Sequence, residues 1–119
     1  MTDSKSTFRR LPPAIRGKAH SLESAGVNNV AWKAADLPDI LGWLHHQEIG
    51  ILGGDVYRVE NGDLQLTYDS WSCERHPAEQ MRDYVHRSHE HAIQYVQKHG
   101  ASTSGIYYYA LVLDITEVN

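Results

Sequence analysis

A single cysteine, a single phenylalanine and no long apolar run mark this chain of 119 residues. With only Cys73, an internal disulfide and a four-cysteine zinc site are excluded, which fits a reducing compartment. No segment approaches the roughly 20 apolar residues of a transmembrane helix. The opening residues, MTDSKSTFRR, hold no apolar core of a secretory signal. A cytoplasmic location without membrane contact is therefore expected. GxGxxG, Walker A, HExxH and GxSxG strings are missing, and with them the phosphate cradles, zinc helix and nucleophile elbow that they encode.

Basic residues are also scarce where the fold is expected. Residues 35–119 contain five Lys and Arg against thirteen Asp and Glu, a balance of −8. Residues 1–34 carry six basic and two acidic side chains, a balance of +4. An acidic body argues against nucleic-acid binding, which needs cations to displace phosphate counterions. It suits a basic protein partner, because complementary fields speed association. Solubility alone also accounts for acidic surfaces. With 41% hydrophobic and 22% charged residues the chain has the makings of one folded domain.

The expected class is α+β. Residues 1–8 are polar and expected to fray, leaving 9–119 as one domain. Pro12 and Pro13 open a helix expected to reach Ser24, with a turn at Gly26–Asn29 and a short extended piece at Val30–Trp32. Asp36 is placed to cap a helix running to about Glu48, whose inward stripe is Leu37, Ile40, Leu41 and Leu44. Asn61-Gly62 predicts a two-residue hairpin turn joining strands over about 51–69. Its second arm is expected to show Leu64, Leu66 and Tyr68 on one face and Gln65, Thr67 and Asp69 on the other. Paired glycines Gly53-Gly54 mark a bulge or a close backbone approach. Met81, Tyr84, Val85, Ser88, Ala92, Tyr95 and Val96 recur at helical spacing, predicting a long helix over about 77–99 that Gly100 stops. The apolar run at about 106–115 predicts a central strand covered on both faces, or on one face with Tyr rings at an edge. A mostly antiparallel sheet packed on two or three helices follows.

Eight histidines invite a metal hypothesis, which helical geometry opposes. His86 and His89 are close enough in angle to share a metal, whereas His91 flanks the opposite side and His45 and His46 diverge. Cys73 and His76 have the spacing of half a zinc site with no second half. They also form a conceivable Cys-His nucleophile pair without an oxyanion-hole signature. Asp55, Asp69 and Asp114 supply carboxylates but no complete constellation. No metal, no cofactor and no enzymatic activity are expected.

Three Trp and seven Tyr favour aromatics with a polar handle, the type that dominates protein interfaces. Trp43 falls off the axis of its helix stripe, suited either to a partner or to a neighbouring helix. Trp71 follows a strand and serves either as a contact or as a lid over the core.

GVNN (Gly26–Asn29), ILGGDVY (Ile51–Tyr57), TYDSWSCE (Thr67–Glu74) and DYVHRSHEHAIQYV (Asp83–Val96), in that order, resemble the immunity protein 40 family of bacterial polymorphic toxin systems. The resemblance spans roughly residues 25–115. It implies a non-enzymatic antitoxin that stays in the producing cell and binds a cognate toxin domain. A basic, nuclease-like toxin would suit the acidic body. Within that implication, the expected contact residues are Asp55, Tyr57, Asp69, Trp71 and Trp43. Asp55 and Tyr57 share a strand face, and the hairpin is expected to bring them beside Asp69 and Trp71 at one sheet edge. Gly53, Gly54, Asn61 and Gly62 are expected to be structural. Bulge geometry and core packing explain the glycines and Trp71 equally well. Two other classes remain: a small metal-dependent or Cys/His hydrolase, and an interaction domain that forms a homodimer through an exposed Tyr107/Tyr109 face.

Overall fold

The computed structural model describes residues 11–22, 30–102 and 106–114. The expected fraying of residues 1–8 and the Gly26–Asn29 turn lie outside these. Helix α1 (Pro13–Arg16) starts on Pro12 and Pro13 as expected but does not continue to Ser24. Gly17 closes it, its N–H donating to the Pro13 carbonyl at 2.9 Å. The backbone then finds better partners in a sheet: β1 (His20–Ser21) pairs with Ala31 and Val30 of β2 (Val30–Lys33).

A short 3-10 turn, Ala34–Asp36, leads into α2 (Leu37–His46). Asp36 stands at the N-cap position but makes no side-chain cap. The preceding turn already holds its backbone at φ −94° and ψ −13°, away from the extended geometry a capping residue needs. The stripe Leu37, Ile40, Leu41 and Leu44 is buried as expected. Glu48 ends the helix in the left-handed region at φ 57°, and the Ile49 N–H returns to the Leu44 carbonyl at 3.0 Å.

Strands β3 (Gly50–Glu60) and β4 (Asp63–Ser72) form the predicted hairpin. Asn61 at φ 54° and Gly62 at φ 83° occupy the two left-handed positions of its turn. Helix α3 (Met81–Ser102) starts four residues later than the expected 77, Pro77 falling in the loop before it, and passes through Gly100, which therefore does not stop it. Strand β5 (Tyr107–Asp114) completes a five-stranded sheet in the order β1-β2-β5-β3-β4, antiparallel at every step.

Two crossovers build this order. The path β2–α2–β3 steps over the place of β5, and β4–α3–β5 steps over β3. Residues of α2 and α3 share one core with Trp32, Ile51, Val56, Trp71, Tyr109, Leu111 and Leu113, so both helices cover the same face of the sheet. Leu22, Ala31, Tyr57, Tyr108 and Ala110 form a second cluster on the opposite face. β5 is thus the central strand. Tyr109 is buried beneath the helices, which removes the exposed tyrosine face on which the dimer reading rested.

Candidate functional site

Strand β4 forms one edge of the sheet, and its pairing with β3 is broken once. Tyr57 faces Leu66 and Asp55 faces Ser70, so Thr67, Tyr68 and Asp69 stand opposite Val56 alone. This bulge takes Tyr68 out of the ladder that the second arm was expected to continue, while Leu64 and Leu66 stay paired with Val59 and Tyr57. Leu64 is half-buried, Leu66 is partly exposed, and Tyr68 is 86% exposed at φ 71°. The Thr67 hydroxyl holds the bulge shut. It donates to the Val56 carbonyl at 2.9 Å and accepts the Asp69 N–H at 3.1 Å.

Past the bulge, Trp71 pairs with Gly54 and turns its indole under the helices. A Cβ on Gly54 would collide with that indole, and one on Gly53 with the Trp71 carbonyl. The paired glycines therefore serve a close approach. The neighbouring irregularity is at Leu52, which is skipped between Ile51 and Gly53 in the pairing with β5. Trp71 is only 7% exposed and stacks on Tyr95 of α3, with centroids 4.7 Å apart. Tyr95 stacks in turn on His99, whose ring meets Tyr107 and Tyr109 edge-on.

Asp69 closes this stack from outside. Its carboxylate lies 3.5 Å from His99 Nε2, and His99 Nδ1 is hydrogen-bonded to the Tyr109 hydroxyl at 2.8 Å. Burial and then the Asp69 charge raise the Tyr95 phenol pKa. Burial, followed by Tyr95 and Tyr107, does the same at Tyr109. The Asp69–His99–Tyr109 chain ends on a phenol that is 1% exposed, so it anchors the edge and reaches no open surface at that end.

Asp55 and Tyr57 lie on the other face. Tyr57 is buried in the second cluster, and burial followed by the Asp55 charge raises its pKa. Asp55 is half-buried between Ser70 and Ala110. The four residues expected side by side are therefore split, Asp55 and Tyr57 facing away from the helices and Asp69 and Trp71 toward them. The register pairs Tyr57 with Leu66 and Asp55 with Ser70, so the alternation of β4 puts Asp69 and Trp71 on the opposite face. Trp43 is half-buried against the helical-layer core.

The loop from Cys73 to Gln80 is pinned by Arg87 of α3. Its guanidinium donates to both Glu79 carboxylate oxygens at 2.8 and 2.7 Å, to the Glu74 carbonyl at 2.7 Å and to Cys73 Sγ at 3.1 Å. These bonds hold the Glu79 carboxyl down at about 2. Cys73 is buried, and its sulfur contacts Arg87. His76 is exposed, and its backbone N–H donates to Glu79.

An open groove of about 710 Å3 runs between α2 and α3, lined by Leu37, Leu41 and Ile93 with His45 and His89 toward one end. His45 crosses from α2 to meet His86 and His89 edge-on, with centroids 6.3 and 5.2 Å away. His89 Nε2–H donates to the Ile49 carbonyl at 2.9 Å. Burial chiefly, then His45 and His86, lowers the His89 pKa. No group of three His, Cys, Asp or Glu side chains among the described residues is arranged to hold a metal ion.

The sequence places Tyr68 on a hairpin arm and Tyr95 in a helix stripe but singles out neither of them, nor His99 or Arg87, as a site residue. Tyr95 and His99 carried one usable signal, their four-residue spacing on the apolar side of α3.

The arrangement defines an α+β domain whose irregular, acidic sheet edge is fastened to its core by aromatic rings. The family model described as Immunity protein 40 matches residues 21–113, and the chain belongs to that family. Comparison with curated proteins and with solved structures yields no match.

Proposed function

We propose that this chain is an immunity protein that binds and neutralises a cognate polymorphic toxin domain inside the cell that makes both. Membership of the immunity protein 40 family over residues 21–113 carries the reading. The edge supplies a surface for it. Asp63 and Asp69 lie on the edge strand, which has no Lys or Arg, and Glu74 follows it, while Glu60 is paired with Arg58 at 2.8 Å. Such an edge favours a basic toxin domain, because opposite fields steer encounter and like fields repel wrong partners.

Asp69 and Asp55 belong to the proposed contact surface, one on each side of the edge. Tyr57 and Trp71 act from behind it, as the packing that fixes their neighbours. Trp43 is left out of the surface, since its ring packs on the helical layer. No cofactor enters this function, and the protein works stoichiometrically.

The test is co-expression with the C-terminal domain of the gene product encoded immediately upstream. Survival of cells that otherwise die, with a complex that co-purifies, supports immunity. Death despite ample folded protein overturns it for that pair.

A further inference from the structure

We infer that Tyr68 is the anchor of the partner interface, a side chain held outward to enter an apolar pocket rimmed by basic residues on the toxin domain. The inference rests on the toxin-binding reading above and names the residue through which it acts. Tyr68 is 86% exposed, beyond every other large apolar side chain described, of which Ile106 comes next at 59%. Its side chain makes no hydrogen bond, ion pair or ring contact among the described residues.

Its backbone is in the left-handed region at φ 71°, where a bulky aromatic is a rare and strained choice. Asn, Asp or Gly would sit there with less strain. Protection of a sheet edge does not explain the residue either. A bulge alone twists an edge away from pairing, and a charged side chain at its apex serves that purpose better than a bare phenol ring. The choice of tyrosine therefore works against the strand that carries it.

The rest of the bulge is built to keep Tyr68 still. Thr67 ties the backbone before it to Val56. Asp69 ties the backbone after it to Thr67 and, through its carboxylate, to His99 in the aromatic stack. A rigid anchor loses little conformational freedom on binding, which is where flexible interfaces lose affinity. Tyrosine is among the residue types that dominate interface energetics, for its large area on few rotatable bonds. The Asp69 side chain, 58% exposed, stands next to it as the partner for a basic rim. Asp63, on the same edge strand, extends that field, while Glu60 is taken up by Arg58 at 2.8 Å.

The experiment compares the parent with Tyr68→Asn, Tyr68→Phe and Glu90→Lys, the last lying on the α2–α3 groove. The probe is the inactivated C-terminal domain of the upstream gene product, titrated calorimetrically, with thermal melts of each free variant. Tyr68→Asn is expected to melt at or above the parent temperature while binding roughly 30-fold or more weakly. Tyr68→Phe should retain most affinity and Glu90→Lys all of it. Parental affinity in Tyr68→Asn, with the parent binding tightly, overturns the anchor and leaves the immunity reading standing. Loss confined to Glu90→Lys moves the interface to the groove and also overturns it. A parent that does not bind the domain overturns the reading and the anchor together.

Discussion

Trp71 occupies the space that a side chain on Gly54 would need. The two residues are paired across β3 and β4, and the six-membered ring of the indole lies where the Gly54 Cβ would project. The GGDVY string is thus the imprint of a tryptophan that sits nearly twenty residues later in the chain.

That pairing makes Gly54→Ala a test of packing. Overfilling a closed site costs about 1–3 kcal/mol, and urea denaturation should show that loss with little change in slope. In a Trp71→Leu background the same substitution should cost clearly less. Additive losses in the double variant would mean that Gly54 answers to something other than the indole.

The Arg87–Glu79 fork predicts a loss of stability in acid. Glu79 titrates at about 2 when folded, against the usual value of 4.5. Its contribution is therefore complete above about pH 4.5 and disappears as the pH falls toward 2. Glu79→Gln should melt below the parent at pH 6, with a gap that narrows below about pH 4.5 and closes only as the pH falls to about 2. A constant gap between the two curves would show that the fork does not act through the carboxylate charge.

His89 works at milder pH. Burial, helped by His45 and His86, depresses its pKa, so the unfolded chain takes up a proton near pH 6.5 before the folded one does. Stability drawn from neutral His89 is present above that pH and is lost as the pH falls toward the depressed folded value. His89→Gln keeps a donor for the Ile49 carbonyl, and its melting temperature should fall less than the parent's between pH 7.5 and 5.5. Equal falls would assign the effect to other groups.

Asp55→Lys combined with Asp69→Lys should leave the far-UV spectrum in place and reduce association with a basic toxin domain about tenfold or more at low salt. The difference should shrink as salt rises, because exposed charges are screened within a Debye length of about 8–10 Å. Stopped-flow association at two ionic strengths reads it directly. Undiminished association would remove these acids from the interface.

Much of this architecture is legible in the chain because it follows from local rules. Asn61-Gly62 names its own turn, and the Leu37–Leu44 stripe names the buried side of α2. The α+β class and the antiparallel sheet follow from such signals. The second arm of the hairpin is not legible. Leu64, Leu66 and Tyr68 alternate as if they shared a face, but Tyr68 falls in the bulge, where three residues stand opposite one. Asp69 lies on the helical side, away from Asp55, because the strands pair Asp55 with Ser70, a register that no spacing within either strand announces. Capping at Asp36 fails for a similar reason, as a preceding turn fixed its backbone first. Contacts such as His45 with His89, or Asp69 with His99, join separate elements, and no spacing within either element announces them.

The central position of β5 bears on the order in which the molecule can be assembled. β2 and β3 are both made before β5, yet they touch the sheet's middle only through it. The β3–β4 hairpin closes over a short loop and can form early. The ribbon of β1 and β2 has no route to that hairpin until residues 107–114 have left the ribosome. Joining the halves is then a single late event between segments distant in sequence, the slow kind of step in folding kinetics. A nascent chain halted before Tyr107 would hold its edge strand and its tyrosine without the wall that Tyr109 provides beneath His99.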